Sequence, residues 1–294
     1  MKLLTYIQQN YWISRRTITD AIKHGMVSID GQAVEWYSIE LKYGQRLRGH
    51  IANRAIDDVI QDVAIETDTI LFHKPIGLVC SKSDPHNKTI YRLLGDQYKH
   101  YYYIGRLDKE SRGLVMLTND PAIVHKYEHP RQKIEKEYLV TMHIKGDFLQ
   151  RLLDGTKDEK VAGTFTPSTT NKKTLDKNLT YLFTRGLLVD EDGKLGKKES
   201  KQCDLLKVVF ITPVETLTKE LKALWILDLE PRNNVHTYRI ILNEWKKRHI
   251  RRLCSSVGGE VLDLIRVRIG EYTLDGIEQD EMRNVTDQVV FKKK

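Results

Sequence analysis

The apolar positions of the first fifty residues change period twice. Leu3, Leu4, Ile7 and Tyr11 recur at helical spacing, and Ser14 is placed to cap a second helix carrying Ile18, Ala21 and Ile22, with Gly25 to end it. Val27-Ser28-Ile29 then alternates as a short strand, and Asp30-Gly31 turns it back into Gln32-Ala33-Val34. The expectation is a small ααββ unit over residues 1–48. Residues 49–66 read as a linker with a short helix.

The pattern beyond residue 66 mixes both periods. Residues 70–73 and 78–81 read as strands separated by Lys74-Pro75-Ile76-Gly77, where Pro and Gly force a turn. Residues 113–118 are continuously apolar, as in a buried strand. Asp120-Pro121 opens a helix that runs to about Tyr127 and stops at His129-Pro130. From Lys136 the period is two, with Tyr138, Val140, Met142 and Ile144 on one face. A last helix opens at Lys246, carries Ile250, Leu253 and Val257 as its buried stripe, and ends at Gly258-Gly259. This is an α+β pattern, a second domain over 67–290. Mixed-charge stretches at 157–160, 171–173 and 190–201 mark a hydrophilic insertion at about 155–204, read as surface loops broken by the apolar segments 181–189 and 205–211. There is no internal repeat and no heptad run.

Composition narrows the class. Lys and Arg number 48 against 40 acids among 294 residues, a net charge of +8, which favours a polyanionic partner, nucleic acid before an anionic membrane surface. Cys80, Cys203 and Cys254 are widely spaced and form no C-x-x-C pair, as expected for reduced thiols. No stretch approaches the roughly 20 apolar residues of a membrane span, and the amino-terminal residues lack the apolar core of a secretory signal. A cytoplasmic, monomeric protein is the default expectation.

Candidate chemistry centres on Gly105-Arg106-Leu107-Asp108, a loop leading into the buried strand at 113–118, so that an acid has a rigid support behind it. By itself the loop favours a structural acid, with Asp108 capping the amides of Ser111 and Arg112. Arg15, Arg16, Lys23, His24, Lys42, Arg46 and Arg48 stand on the amino-terminal unit either as a phosphate-gripping face or as ordinary solvated charges. No H-E-x-x-H, no G-x-x-x-x-G-K-[ST] and no Cys/His cluster occurs, so neither a metal nor a nucleotide cofactor is expected.

The run from Gly105 to Asp120 resembles the motif G-R-L-D-x-x-[ST]-x-G-L, followed by an apolar stretch and T-N-D, of the RsuA-type pseudouridine synthases. Lys74-Pro75-Ile76-Gly77, Lys136-Glu137-Tyr138, Arg248-His249-Ile250-Arg251-Arg252-Leu253 and Leu264-Ile265-Arg266-Val267-Arg268-Ile269-Gly270 follow in the family's order. Ser14-Arg15-Arg16, the turn at 25–31 and Tyr43-Gly44-Gln45-Arg46-Leu47 resemble the αL-type RNA-binding domain that precedes many such synthases.

The resemblance implies a mixed, largely antiparallel sheet and a cofactor-free isomerisation of uridine in structured RNA, ribosomal RNA before transfer RNA. It assigns Asp108 as the catalytic acid, Arg251 as its partner, and Tyr138 as the ring that stacks on the uracil. Arg106 would fill the gap left by the flipped base, Lys74 would brace the loop beside the RNA, and Leu264 would pack near the uracil. Arg15 and Arg16 would grip RNA. His249 and His73 depart from the family, standing where Gln and Asn are usual. The rival readings are a catalytically inactive RNA-binding or ribosome-assembly protein of the same fold, and an Asp-nucleophile hydrolase of small substrates.

Overall fold

A computed structural model describes residues 1–11, 13–61, 67–144, 172–195, 203–214, 234–244 and 246–288. Helices α1 (Leu3–Tyr11) and α2 (Arg15–Lys23) form as the spacing predicts, and the Ser14 hydroxyl caps α2 by accepting from the Thr17 amide at 3.1 Å. Strands β1 (Val27–Ile29), β2 (Gln32–Ala33), β3 (Arg46–Ile51) and β4 (Arg54–Val59) make an antiparallel sheet in the order β2-β1-β3-β4.

The boundary expected at residue 48 therefore falls inside β3; of the supposed linker, residues 62–66 lie outside the described residues, and residues 49–51 and 54–59 are strand. Its turn, Ala52-Asn53, has φ of 51° and 61° at its two residues, a left-handed pair that joins strands tightly without the glycine that usually signals it. Ile51, Ile56 and Ile60 are buried with Leu3, Ile7, Ile18 and Leu47, so the unit has its own apolar core reaching residue 60. At Gly49 an added Cβ would lie 2.8 Å from the Met26 carbonyl, which is why β3 can approach the start of β1 so closely.

The second unit is built on a mixed sheet in the order β11-β12-β8-β13-β7-β5-β15, with short β14 on β13 and β6 on β7. Its members are β5 (Thr69–Lys74), β6 (Tyr102–Ile104), β7 (Arg112–Thr118), β8 (Lys136–Ile144), β11 (Phe210–Pro213), β12 (Val235–Leu242), β13 (Gly259–Ile269), β14 (Tyr272–Thr273) and β15 (Met282–Asn284). All pairings are antiparallel except β7 on β13, where Arg112 and Gly113 face Ile265 and Arg266 in parallel register. That parallel junction holds the loop between β6 and β7. Central strands are covered on both faces: Val140 and Met142 of β8 enter one core with Leu253 and Val257, and Leu139 enters another with Leu114 and Ile265.

One expected strand does not form. Residues 78–81 do not form a strand; Val79 makes a single bridge to Thr89, just ahead of helix α3 (Ile90–Leu94), and Cys80 turns into the core under the β6–β7 loop. Helix α4 (Pro121–Glu128) matches its expectation, with Asp120 accepting from the Ala122 amide at 2.8 Å.

The insertion is not all loop. Helix α5 (Lys172–Arg185) buries Leu175, Leu179, Leu182 and Phe183 in the core beneath β8 and β12, and Asp176 accepts from the Tyr238 hydroxyl at 2.7 Å. Strands β9 (Leu187–Val189) and β10 (Asp204–Leu206) pair antiparallel in a small second sheet. Apolar residues three and four apart inside a polar run were enough to build this helix, and counting charges conceals them. The charged stretches at 157–160 and 196–201 lie outside the described residues. Helix α6 (His249–Ser256) opens at His249 rather than Lys246, because Arg248 sits at its cap with φ 52°.

Candidate active site

The β6–β7 loop is held from every side. Arg266, fully buried on β13, donates to the Gly105 carbonyl at 2.5 Å and to the Leu114 carbonyl at 2.7 Å. Lys74, fully buried at the end of β5, donates to the Ser111 carbonyl at 2.6 Å, and the Leu107 amide donates to the Cys80 sulfur at 3.4 Å. From α6, Arg251 donates to the Glu110 carbonyl at 2.9 Å and to the Ser111 hydroxyl at 3.2 Å, while Arg248 pairs with Glu110 at 3.0 Å. Behind the loop Arg112 makes a bidentate ion pair with Asp263, at 3.0 and 2.7 Å, with both side chains 2 % exposed.

Gly113 permits this arrangement. Its φ is +110°, and an added Cβ would stand 2.3 Å from the Arg266 carbonyl oxygen and 2.6 Å from its nitrogen. Only glycine lets β7 and β13 meet there.

The loop lines a cavity of about 650 Å³ shared by Arg106, Asp108, Tyr138, Leu242, Glu244, Arg248, His249 and Leu264 among others. Asp108 is half-buried at its wall. The Ser111 amide donates to the Asp108 backbone carbonyl at 3.1 Å, and among the described residues no donor is hydrogen-bonded to its carboxylate, so the capping role is not realised. Tyr138 on β8 presents its ring to the same space, with the Arg266 guanidinium 6.0 Å from the ring centroid.

Electrostatics follow from burial. Lys74 is pushed down to about 8 by desolvation, opposed by Cys80 and reinforced by Arg266. Arg251 is lowered by burial and by Arg248, while the Glu110 and Asp108 carboxylates act in the opposite direction. His249 is 5 % exposed and burial takes it down to about 4, so it is neutral at pH 7; the nearby Lys207 carbonyl offsets this in part without a hydrogen bond of normal geometry.

The fold brings Asp108, Tyr138, Arg106, His249 and Leu264 to one cavity. It places Arg251 differently from the expected pairing: its guanidinium holds the backbone and hydroxyl of residues 110 and 111, and its influence on Asp108 is through space. Lys74, expected to brace the loop beside the RNA, has no exposed surface with which to touch RNA, and its ammonium is engaged by the Ser111 and Pro75 carbonyls. It is a brace for the loop. Arg15 and Arg16 are exposed on α2, Arg15 lying over the Tyr37 ring at 5.5 Å, whereas Arg46 and Arg48 are both engaged by Asp57. Sequence reasoning missed Glu244, Cys80 and the Arg112–Asp263 pair. Asp263 and Arg112 are 151 positions apart, and no periodicity links them.

Residues 68–256 match the RNA pseudouridylate synthase family. The chain is 24 % identical to the ribosomal small subunit pseudouridine synthase A of Yersinia pestis, covering 99 % of this chain and 97 % of that one. It is 26 % identical to the dual-specificity RNA pseudouridine synthase RluF of Escherichia coli K12 over 98 % of this chain and 76 % of that one. It is 27 % identical to the ribosomal large subunit pseudouridine synthase B of Vibrio vulnificus, over 89 % and 64 % respectively. A crystal structure of a pseudouridylate synthase shares the fold, with a TM-score of 0.50 at 22 % identity, covering 98 % of this chain and 97 % of that one. With a family match across most of the chain and an acid-bearing loop braced along the wall of a cavity of about 650 Å³, this protein belongs to the RNA pseudouridylate synthases.

Proposed function

We propose that this chain converts a uridine of ribosomal RNA to pseudouridine, with Asp108 as the carboxylate that acts on the reacting nucleotide. The observation that carries the reading is the half-buried Asp108 side chain, lining a cavity with Tyr138 and hydrogen-bonded by no donor among the described residues. A carboxylate kept free on a loop held this tightly is available to substrate at a fixed position.

The reaction breaks the bond from N1 of uracil to C1′ of ribose, rotates the base, and forms a bond from C5 to the same carbon. N1 ends protonated and C5 loses its proton, so atoms and electrons balance without redox chemistry. Asp108 either attacks carbon or steadies the positive charge that develops as the base leaves. Arg251 keeps the loop in place and lends positive potential to the acid. Tyr138 offers an aromatic face to the detached uracil and a hydroxyl near the departing C5 proton. The nucleotide must leave its stack, at about a few kcal/mol, and Arg106, exposed and on the cavity lining, would fill the gap. Ribosomal RNA as substrate is supported by the names of the relatives, of which one is a dual-specificity enzyme; Arg15 and Arg16 on the amino-terminal unit would supply sequence-tolerant phosphate contacts.

Tritium release from RNA labelled at C5 of uracil tests the assignment. The unmodified chain releases label, and Asp108→Ala releases none while binding the RNA with unchanged affinity. Release by Asp108→Ala at the unmodified rate refutes the role of the acid.

A further inference from the structure

Six buried side-chain nitrogen and oxygen atoms lack a hydrogen-bond partner among the described residues, and four of them belong to Glu244, His249 and Arg251. Glu244 and His249 line the cavity that holds Asp108 and Tyr138, and Arg251 lies two residues beyond His249 on α6. A carboxylate oxygen withdrawn from water with no donor facing it is costly, and so is a buried imidazole with both nitrogens unpartnered. Such a group is stable in place when something that visits the cavity supplies the partner. Neither the loop bracing nor the steps assigned to Asp108 and Tyr138 use Glu244.

We propose that the Glu244 carboxylate accepts the N3–H of the flipped base and makes the cavity specific for uracil. This rests on the functional reading above and adds to it the residue that chooses the base. The Watson–Crick edge of uracil runs acceptor, donor, acceptor: O4, N3–H, O2. The unpartnered groups lining the cavity are one obligate acceptor, Glu244, and the imidazole of His249, which when neutral offers one ring N–H donor and one acceptor nitrogen. An acceptor for N3–H beside a ring N–H for one of the flanking carbonyls suits that edge. Cytosine carries a lone pair at N3 in place of the proton, so a carboxylate repels it at the position where it holds uracil. Leu242 and Leu264, both nearly fully buried, line the same cavity with the Tyr138 ring and give the faces of the base apolar contact. Specificity then arises from a buried charged acceptor that one pyrimidine satisfies and the other leaves facing a lone pair.

The test compares RNAs carrying uridine, cytidine or 3-deazauridine, which has C–H in place of N3–H, at the target position. Affinities are measured on the full chain in the Asp108→Asn background, which prevents turnover, with Glu244 intact, Glu244→Gln and Glu244→Ala. With Glu244 present, 3-deazauridine and cytidine RNAs bind about 10- to 100-fold more weakly than uridine RNA. Glu244→Ala brings the 3-deazauridine ratio close to one, and Glu244→Gln, which keeps the side-chain shape, relaxes discrimination against cytidine. A ratio near one with Glu244 intact overturns the proposal without recourse to any Glu244 variant, as does a ratio that survives Glu244→Ala. Tritium release by the unmodified protein is measured alongside. Absence of release refutes the functional reading itself, whereas release with unaltered base ratios refutes only the role of Glu244.

Discussion

Removing Asp263 should damage this protein more than removing any surface acid, and the size of the effect follows from the geometry. Its carboxylate faces the Arg112 guanidinium through two hydrogen bonds of 3.0 and 2.7 Å, and both side chains are 2 % exposed. Asp263→Ala takes from the buried Arg112 guanidinium the carboxylate that neutralises it, at a cost of about 3–5 kcal/mol. For a domain of roughly 220 residues, at about 2–4 °C per kcal/mol, the melting transition falls by about 6–20 °C. The ion pair itself is less valuable than its loss suggests, since its desolvation offsets most of its attraction. Arg112→Met with Asp263→Leu, a change that removes both charges and refills the volume, should therefore recover most of the stability. Activity should not return with it: Arg112 follows Ser111, where Lys74 and Arg251 grip the loop, and a shift there moves Asp108. Scanning calorimetry on the three chains, with tritium release in parallel, decides the matter. A fall of less than about 2 °C in Asp263→Ala, or a double variant as unstable as the single one, refutes the reasoning about a stranded charge.

Gly113→Ala introduces a Cβ 2.3 Å from the Arg266 carbonyl at a φ of +110° and should cost about 2–5 kcal/mol, read by urea denaturation, with activity lost beyond the unfolded fraction. His249 has its pKa lowered from 6.5 to about 4, so the folded state binds fewer protons than the unfolded chain between those values and stability rises with pH across that window. Acidification from pH 6.5 to 4 should thus destabilise the unmodified protein relative to His249→Gln, and parallel denaturation curves at several pH values would contradict this. Arg15→Ala and Arg16→Ala should each reduce the slope of log affinity against log salt by about 0.7–0.9 in RNA titrations, with little change in turnover at saturating RNA.

Several elements were legible before any coordinates. Periodicity placed α1, α2 and α4, because each buries a single stripe whose spacing is local, and it placed β8 by the alternation of Val140, Met142 and Ile144 on one face, although Leu139 on the other face is buried as well. The Gly-Arg-Leu-Asp loop ahead of a continuous apolar run pointed to Asp108, which lines the cavity, and the order of matching segments identified the family. Other features were hidden for equally local reasons. The Ala52-Asn53 turn carries no glycine, so the β3–β4 hairpin read as linker, and the apolar stripe of α5 was submerged in charge.

What the sequence by itself determined is the inventory: an α+β chain with a basic amino-terminal unit, one privileged acid, and the aromatic and guanidinium residues that accompany it. Only the tertiary structure decided how they are used. It buried Lys74 completely, so that the brace has no surface left for RNA, set Arg251 on the loop backbone rather than on Asp108, paired Arg112 with Asp263, and left Glu244 unpartnered at the cavity wall. The physical reason is that burial and hydrogen-bond partnership are properties of residues brought together across 37 to 151 positions of chain, and a charge in the sequence has no environment until the sheet closes around it.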